Sequence, residues 1–272
     1  MEELNNENYH GVEARKKYLG SSQFKEFLKC EKEALARVNG EIEDKKTDAL
    51  LFGSYVDAYF SNEMEQFIPS HPELFNAKTG ELKAPFKNVE TVIEAIKNDK
   101  MMSKYLDGEH QVIMTGIIGG EPFKIKIDSY FIGKAIVDGK CMKDLEKVWV
   151  ERDGRNVLLD YIAAYDYAME GALYQEIEHQ NALKIDSSAK KLPFILNVAT
   201  KEEVPNADLV LIDQDILDER LEYFKQKAPR YQRIKLGLEE PKGCGKCPVC
   251  VAKKQIFAPK SYKQLYLEEE ED

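Results

Sequence analysis

Residues 125–142 read IKIDSYFIGKAIVDGKCM. Apolar and polar positions alternate through the end of KIKID, and AIVD is a short apolar run; both are strand patterns, in which successive side chains point to opposite faces. Gly133-Lys134 supplies a tight turn between them. Each run ends in a carboxylate, Asp128 and Asp138, and Lys140 follows Asp138 by two residues, which returns it to the same face. Paired antiparallel, the strands bring both carboxylates to one edge of a sheet, where like charges repel unless a cation lies between them. A divalent ion such as Mg2+, which takes one or two carboxylates together with waters and phosphate oxygens, suits that edge. An ammonium beside it can orient or deprotonate an attacking water, or stabilise charge building on phosphorus. Taken alone, Asp138-Gly139-Lys140 reads as a simple turn after a strand; its surroundings favour the metal site.

Upstream, the alternation continues and predicts three strands over 111–118, 122–132 and 134–141, with Gly119-Gly120 as the first turn. Before them, SSQFKEFLKCEKEALARV (21–38) spaces Phe24, Phe27, Leu28 and Leu35 as one helix face, with serines suited to cap it and Cys30 within it. ALLFGSYVDAYFSN (49–62) is apolar on most sides and predicts a buried helix with Asp57 as its odd member. An ionised carboxylate there needs a partner; either a metal ion or a neighbouring backbone or tyrosine group provides one. Residues 63–86, with Pro69, Pro72, Gly80 and Pro85, read as an irregular connection, and 88–106 as a helix.

Downstream, LLDYIAAYDYAMEGALYQEIEHQNA (158–182) is the longest helical pattern. Tyr167, Glu170 and Tyr174 share one of its faces, a stripe that can meet a nucleic-acid backbone or lie half-buried in the core. Strands are expected at 192–200 and 207–214, then a helix over 218–239 with Pro229 near its start or kinking it. The tail SYKQLYLEEEED is expected to be solvated and frayed. The order predicts one α/β domain over 1–272, a central mixed sheet flanked by helices.

The formal charge of −10 argues against an indiscriminate polyanion binder, yet an acidic nuclease needs only one basic groove once cations neutralise its carboxylates. No run reaches the length of a membrane helix, and MEELNNENYHGVEARKKYLG has no signal-peptide apolar core, so a cytoplasmic protein with no membrane partner is expected. Among five cysteines, Cys244, Cys247 and Cys250 form C-x2-C-x2-C, one thiolate short of a usual metal centre. Cys30 is the natural fourth, stapling the two ends of the chain through a [4Fe-4S] cluster or a zinc ion. Cys141 is read as packing.

An aspartate on one strand, D-x-K on the next and a following helix with a Q-x-x-x-Y type motif together resemble the PD-(D/E)xK nuclease superfamily, within it the phage and prophage exonucleases of the exonuclease VIII type. The resemblance spans about residues 20–250 and includes the opening SSQFKEFLKC, GSYVDAYF and YDYAMEGALYQE. It implies a restriction-endonuclease-like core over about 20–240, with a cysteine-rich segment, 243–254, packing near the N-terminal helix. It implies Asp128 and Asp138 as ligands of Mg2+ or Mn2+, Lys140 as the catalytic lysine and the Gly139 carbonyl as a further ligand. Asp57 stands where many relatives carry histidine, and Glu170 where the helix usually has glutamine; Tyr174 matches the tyrosine. Glu170 and Tyr174 are thereby expected against substrate. The cysteine layout is similar to the iron-sulfur nucleases of the superfamily, although those have a longer spacing between the last two cysteines. The implied activity is hydrolysis of phosphodiester bonds in DNA, linear duplex above all, in phage-type recombination or end processing. A single-strand annealing protein is the implied partner and a ring-like homo-oligomer the implied assembly. Two other readings stay open: a nuclease fold that only binds nucleic acid or assembles, and a zinc-stapled structural domain whose aspartates are turn residues.

Overall fold

The computed structural model describes residues 4–42, 47–152, 154–256, 258–259 and 261–262. The acidic tail expected to fray lies, from residue 263 onward, outside the described residues. In chain order the elements begin with helices α1 (Val12–Lys17), α2 (Ser21–Lys29), α3 (Glu31–Val38), α4 (Asp48–Phe60), α5 (Met64–Ser70), α6 (Val89–Asn98) and α7 (Lys100–Tyr105). Strands β1 (Glu109–Ile118), β2 (Glu121–Phe131), β3 (Ala135–Met142), β4 (Val148–Arg152) and β5 (Arg155–Leu159) follow. Then come α8 (Tyr161–Ala164), α9 (Tyr167–Ile185), β6 (Phe194–Thr200), β7 (Ala207–Leu211), α10 (Gln214–Lys235) and α11 (Pro248–Ala252).

The main sheet runs in the order β1-β2-β3-β6-β7. The first three strands form the expected antiparallel meander; β3 pairs with β6 in parallel, and β6 with β7 antiparallel, so the sheet is mixed. The parallel step between β3 and β6 needs a long crossover, which α9 supplies. Strand β6 is covered on both faces. Its Leu196 and Val198 join the core that α9 and α10 build, while Ala199 joins a second core with Phe52, Val92 and Ile96 of α4 and α6. Asn197, on that second face, donates its buried Nδ2 to the Met102 carbonyl at 2.9 Å.

Helix α9 sits close to the sheet because Gly171 has no side chain: a Cβ there would lie 2.4 Å from the Phe194 ring. At the β1–β2 turn, Gly119 has φ +60 and faces the Lys225 carbonyl of α10, where a Cβ would come within 2.8 Å. The turn thus requires glycine for both its backbone and its close approach.

Several expectations need correction. The helix of 21–38 is two, since Cys30 is extended (φ −163, ψ 110), and Gly20 rather than a serine occupies the N-cap. The helix of 88–106 breaks at Asp99, whose side chain accepts from the amides of Met101 and Met102 and starts a new helix. The connection 63–86 holds α5 and two 3-10 turns. The helix expected from 158 begins only at Tyr167: residues 155–159 pair with β4 as a hairpin, and Asp166 (φ 53) separates α8 from α9. Pro229 lies inside α10, which continues unbroken to Lys235 because Phe224, Ala228 and Tyr231 are buried along it.

Candidate active site in a basic-walled cleft

The β2–β3 ladder ends at Ser129–Val137, one residue short of Asp128 and Asp138. Beyond it the strands part, and the Gly139 amide donates to Asp128 Oδ2 at 3.0 Å in place of a backbone partner. This fork forms the floor of a cleft of about 860 Å³, which Asp57, Asp128, Asp138, Gly139, Lys140, Glu170 and Tyr174 all line. These seven residues, taken from separate strands and helices, are therefore gathered at one place, whereas Tyr167 does not line the cleft.

Each reaches it from a different support. Asp57 projects from α4, whose Phe52 and Val56 are buried in the second core. A Cβ on Gly139 would lie 3.7 Å from Asp57 Oδ1 and 3.9 Å from Asp128 Oδ2, so both carboxylates converge on this backbone. Asp138 is 1% exposed, flanked on β3 by the fully buried Ile136 and Val137. Its Oδ2 is paired with the Lys140 ammonium, whose Nζ lies 2.5 Å away. Glu170, from the first turn of α9, faces Lys140 at 3.6 Å and Lys25 of α2 at 3.8 Å.

The electrostatics follow from burial and crowding. Burial first, and Asp138 second among the charges that add to it, push Asp57 up to about 7, with Lys140 opposing. Asp128 is likewise pushed up to about 7 by burial and then by Asp57. Asp138 is raised too, by burial, against the pull of Lys140. Burial works to deprotonate Lys140, but Asp138, Glu170 and Asp128 outweigh it and hold the ammonium charged. Glu170 feels the opposite balance: burial is overcome by Lys140 and Lys25, so its carboxyl stays ionised. Tyr174 is held protonated by burial and by Glu170.

Four carboxyl groups thus crowd beside two ammonium groups in a poorly hydrated place, and the raised aspartates show the cost of ionising them all without a further cation. The acidic donor set is oxygen only, and the Asp57 and Asp128 carboxylates converge at Gly139. Oxygen donors of this kind suit a hard divalent cation.

The walls supply what the motif reading overlooked. Lys124 and Lys126 alternate with the fully buried Ile125 and Ile127 on β2 and line the cleft with Asp128. The signal was present in KIKID, where both lysines share the period of Asp128. Lys25 donates to the Tyr165 carbonyl at 3.0 Å, and its position against Glu170 was not legible from spacing. Arg15, Lys29 and Arg37 complete a basic rim.

The cysteines assemble elsewhere. Cys30, at the corner between α2 and α3, meets Cys244, Cys247 and Cys250, all four sulfur atoms lying within 4.8 Å of one another. Cys141 packs beside the second core, as expected of it. No helix among the described residues is long and apolar enough to cross a membrane.

Residues 20–253 match the family described as a PDDEXK-like domain of unknown function (DUF3799). The chain is also similar to a crystal structure described as a "Putative exonuclease" from Eubacterium rectale. The two share 39% identity at a TM-score of 0.87, over 97% of this chain and 98% of that one. No curated protein matches.

Proposed function

Because the chain belongs to the PDDEXK-like domain family, we propose that it is a Mg2+- or Mn2+-dependent deoxyribonuclease of the exonuclease VIII type. It hydrolyses phosphodiester bonds at the ends of linear duplex DNA. The observation that carries this reading is the convergence of Asp57, Asp128, Asp138 and Lys140 at the fork of β2 and β3, beneath a rim of Arg15, Lys29, Arg37, Lys124 and Lys126. The similarity to a crystal structure described as a "Putative exonuclease" supports action at ends.

In this reading Asp57, Asp128, Asp138 and the Gly139 carbonyl hold the cation. When bound, it supplies Lewis-acid polarisation of the scissile phosphate and neutralises charge. Lys140 remains an ammonium beside Asp138, so it donates hydrogen bonds to the attacking water or to a phosphate oxygen rather than removing a proton. Glu170 keeps Lys140 and Lys25 charged and aimed, and Tyr174 lies beside them at the cleft wall. The rim lysines and arginines follow the DNA backbone, which gives an acidic protein one surface suited to a polyanion. Cytoplasmic phage-type recombination is the setting, with a single-strand annealing protein as partner and a homo-oligomer around DNA as the working assembly.

Linear duplex DNA incubated with Mn2+ and the wild-type chain is expected to disappear from its ends, whereas Asp138→Ala and Lys140→Ala lose about a hundredfold or more of that rate. Equal loss of DNA with all three proteins would overturn the assignment.

A further inference from the structure

Four thiols that the proposed hydrolysis does not use meet at the corner between α2 and α3. Cys30 is buried there, with its sulfur 3.6 Å from that of Cys247 and 3.6 Å from that of Cys250, and none of the four is disulfide-bonded. Spacing separates the two metal centres that four cysteines commonly build. Around one tetrahedral zinc ion with Zn–S bonds of about 2.3 Å, neighbouring sulfurs lie about 3.8 Å apart. In a [4Fe-4S] cube each thiolate binds a different iron and points outward, so the sulfurs stand roughly 6 Å or more apart. Here all four lie within 4.8 Å of one another, too tight to enclose four irons and four sulfides.

The loop agrees with the smaller centre. In Cys244-Gly245-Lys246-Cys247, Gly245 has φ +73, a turn that lets the Cys247 amide donate to Cys244 Sγ at 3.2 Å. The Cys244 amide donates to Cys30 Sγ at 3.4 Å. Main-chain donors aimed at sulfur favour the thiolates that a dication requires. Gly243 allows the chain to pass against the centre, since a Cβ there would lie 2.8 Å from Cys250 Sγ.

We infer that Cys30, Cys244, Cys247 and Cys250 hold one tetrahedral zinc ion and not an iron-sulfur cluster. Its role is to fasten the cleft wall. The same corner is latched by Glu31, which takes two hydrogen bonds of 2.7 Å from Arg230 and one of 2.6 Å from the Lys242 amide. Helices α2 and α3 meeting at that corner carry Ser21, Lys29 and Arg37 of the cleft. Zinc content is independent of the nuclease reading, since loss of DNA cleavage leaves it unchanged.

The test is metal and sulfide analysis of the full chain purified with and without oxygen, no metal added. About one zinc per chain in both preparations, without visible absorption or labile sulfide, is expected. Chelation is then expected to lower Tm by about 10 °C, and Co2+ replacement to give the visible spectrum of a tetrahedral thiolate site. Cys250→Ser, at a partly exposed position, is expected to release zinc at a chelator concentration at least about tenfold lower. About four irons and four sulfides per chain, iron in place of zinc, or no bound metal in either preparation would each overturn the inference. So would unchanged zinc retention in Cys250→Ser; should that variant not fold, the metal content of the wild-type chain decides alone.

Discussion

Asp57 and Lys235 show how differently one buried charge can bear on function and on stability. Asp57 gains nothing from the fold without a cation: burial and neighbouring Asp138 push its carboxyl up to about 7, far from the value of a free aspartate. Asp57→Asn keeps the shape and removes the charge. We expect a metal-free Tm equal to or above that of the wild type, together with an about tenfold higher Mn2+ requirement for cleavage. A lower metal-free Tm with an unchanged Mn2+ requirement would make Asp57 a structural carboxylate bonded to its surroundings. Lys235 lies away from the metal site and donates to the Tyr18 carbonyl at 2.9 Å and to Gln23 Oε1 at 3.1 Å. Burial, and then Lys124, pull its ammonium down to about 7. Between pH 7 and the unfolded value near 10.5 the unfolded chain binds more protons than the folded one, so stability rises with pH across that window. Below pH 7 both states are charged and the full cost of burial is present. In urea titrations the stability of the wild type should therefore rise relative to that of Lys235→Met by about 3 kcal/mol from pH 7 to pH 10. A constant difference would mean that Lys235 does not titrate as described. At this scale the sequence was most legible where spacing alone decides: Asp128, Asp138 and Lys140 sit two and ten residues apart on paired strands. Lys25 was not legible, because only the packing of α2 against α9 brings it to Glu170.

Among the elements, the contact of α9 with β6 positions Glu170 and so carries part of the site. Gly171→Ala would add about 1 kcal/mol of helix propensity in an open helix. Here the new methyl lies 2.4 Å from the ring of Phe194, which is fully buried and has no room to turn aside. The clash wins: a net loss of about 1–3 kcal/mol is expected in urea unfolding, with reduced cleavage as Glu170 shifts from Lys140. A neutral variant would show that α9 can slide without consequence. The meander was legible because its period and its glycine turns agree. The β4–β5 hairpin was equally marked, by VWVER and NVLL around Asp153-Gly154, but its aromatic and aliphatic residues merged into the helical pattern after it. The break at Cys30 has no local cause: no glycine or proline stands there, and the extended backbone serves the meeting of four sulfurs. Asp99 differs, since its own carboxylate caps the helix it begins.

For the molecule as a whole, a net charge of −10 and a cleft rimmed by cations coexist because the positive groups are concentrated on α1, α2, α3 and β2. Binding to DNA should weaken as salt rises, by release of counterions from each neutralised phosphate. In the inactive Asp138→Asn background, Lys29→Ala is expected to weaken binding severalfold across sequences and to reduce the slope of log K against log salt by about 0.9. An unchanged slope would take Lys29 out of the DNA path. That the motif residues share one cleft was legible from their order; that they meet at the seam between two cores was not, since the helix carrying Asp57 packs into one and the helix carrying Glu170 into the other.

The latch between Glu31, Arg230 and Lys242 has a mechanical side. Cys30 and Cys250 lie 220 residues apart along the chain yet side by side in space, and every strand falls between them. A pull applied to the chain beyond Cys250 is borne first by this short tether, before it is passed on to α10 and the sheet. The fork holding Asp128 and Asp138 is thereby shielded from tugging on that flank, as would arise when the segment after Cys250 is drawn into a protease.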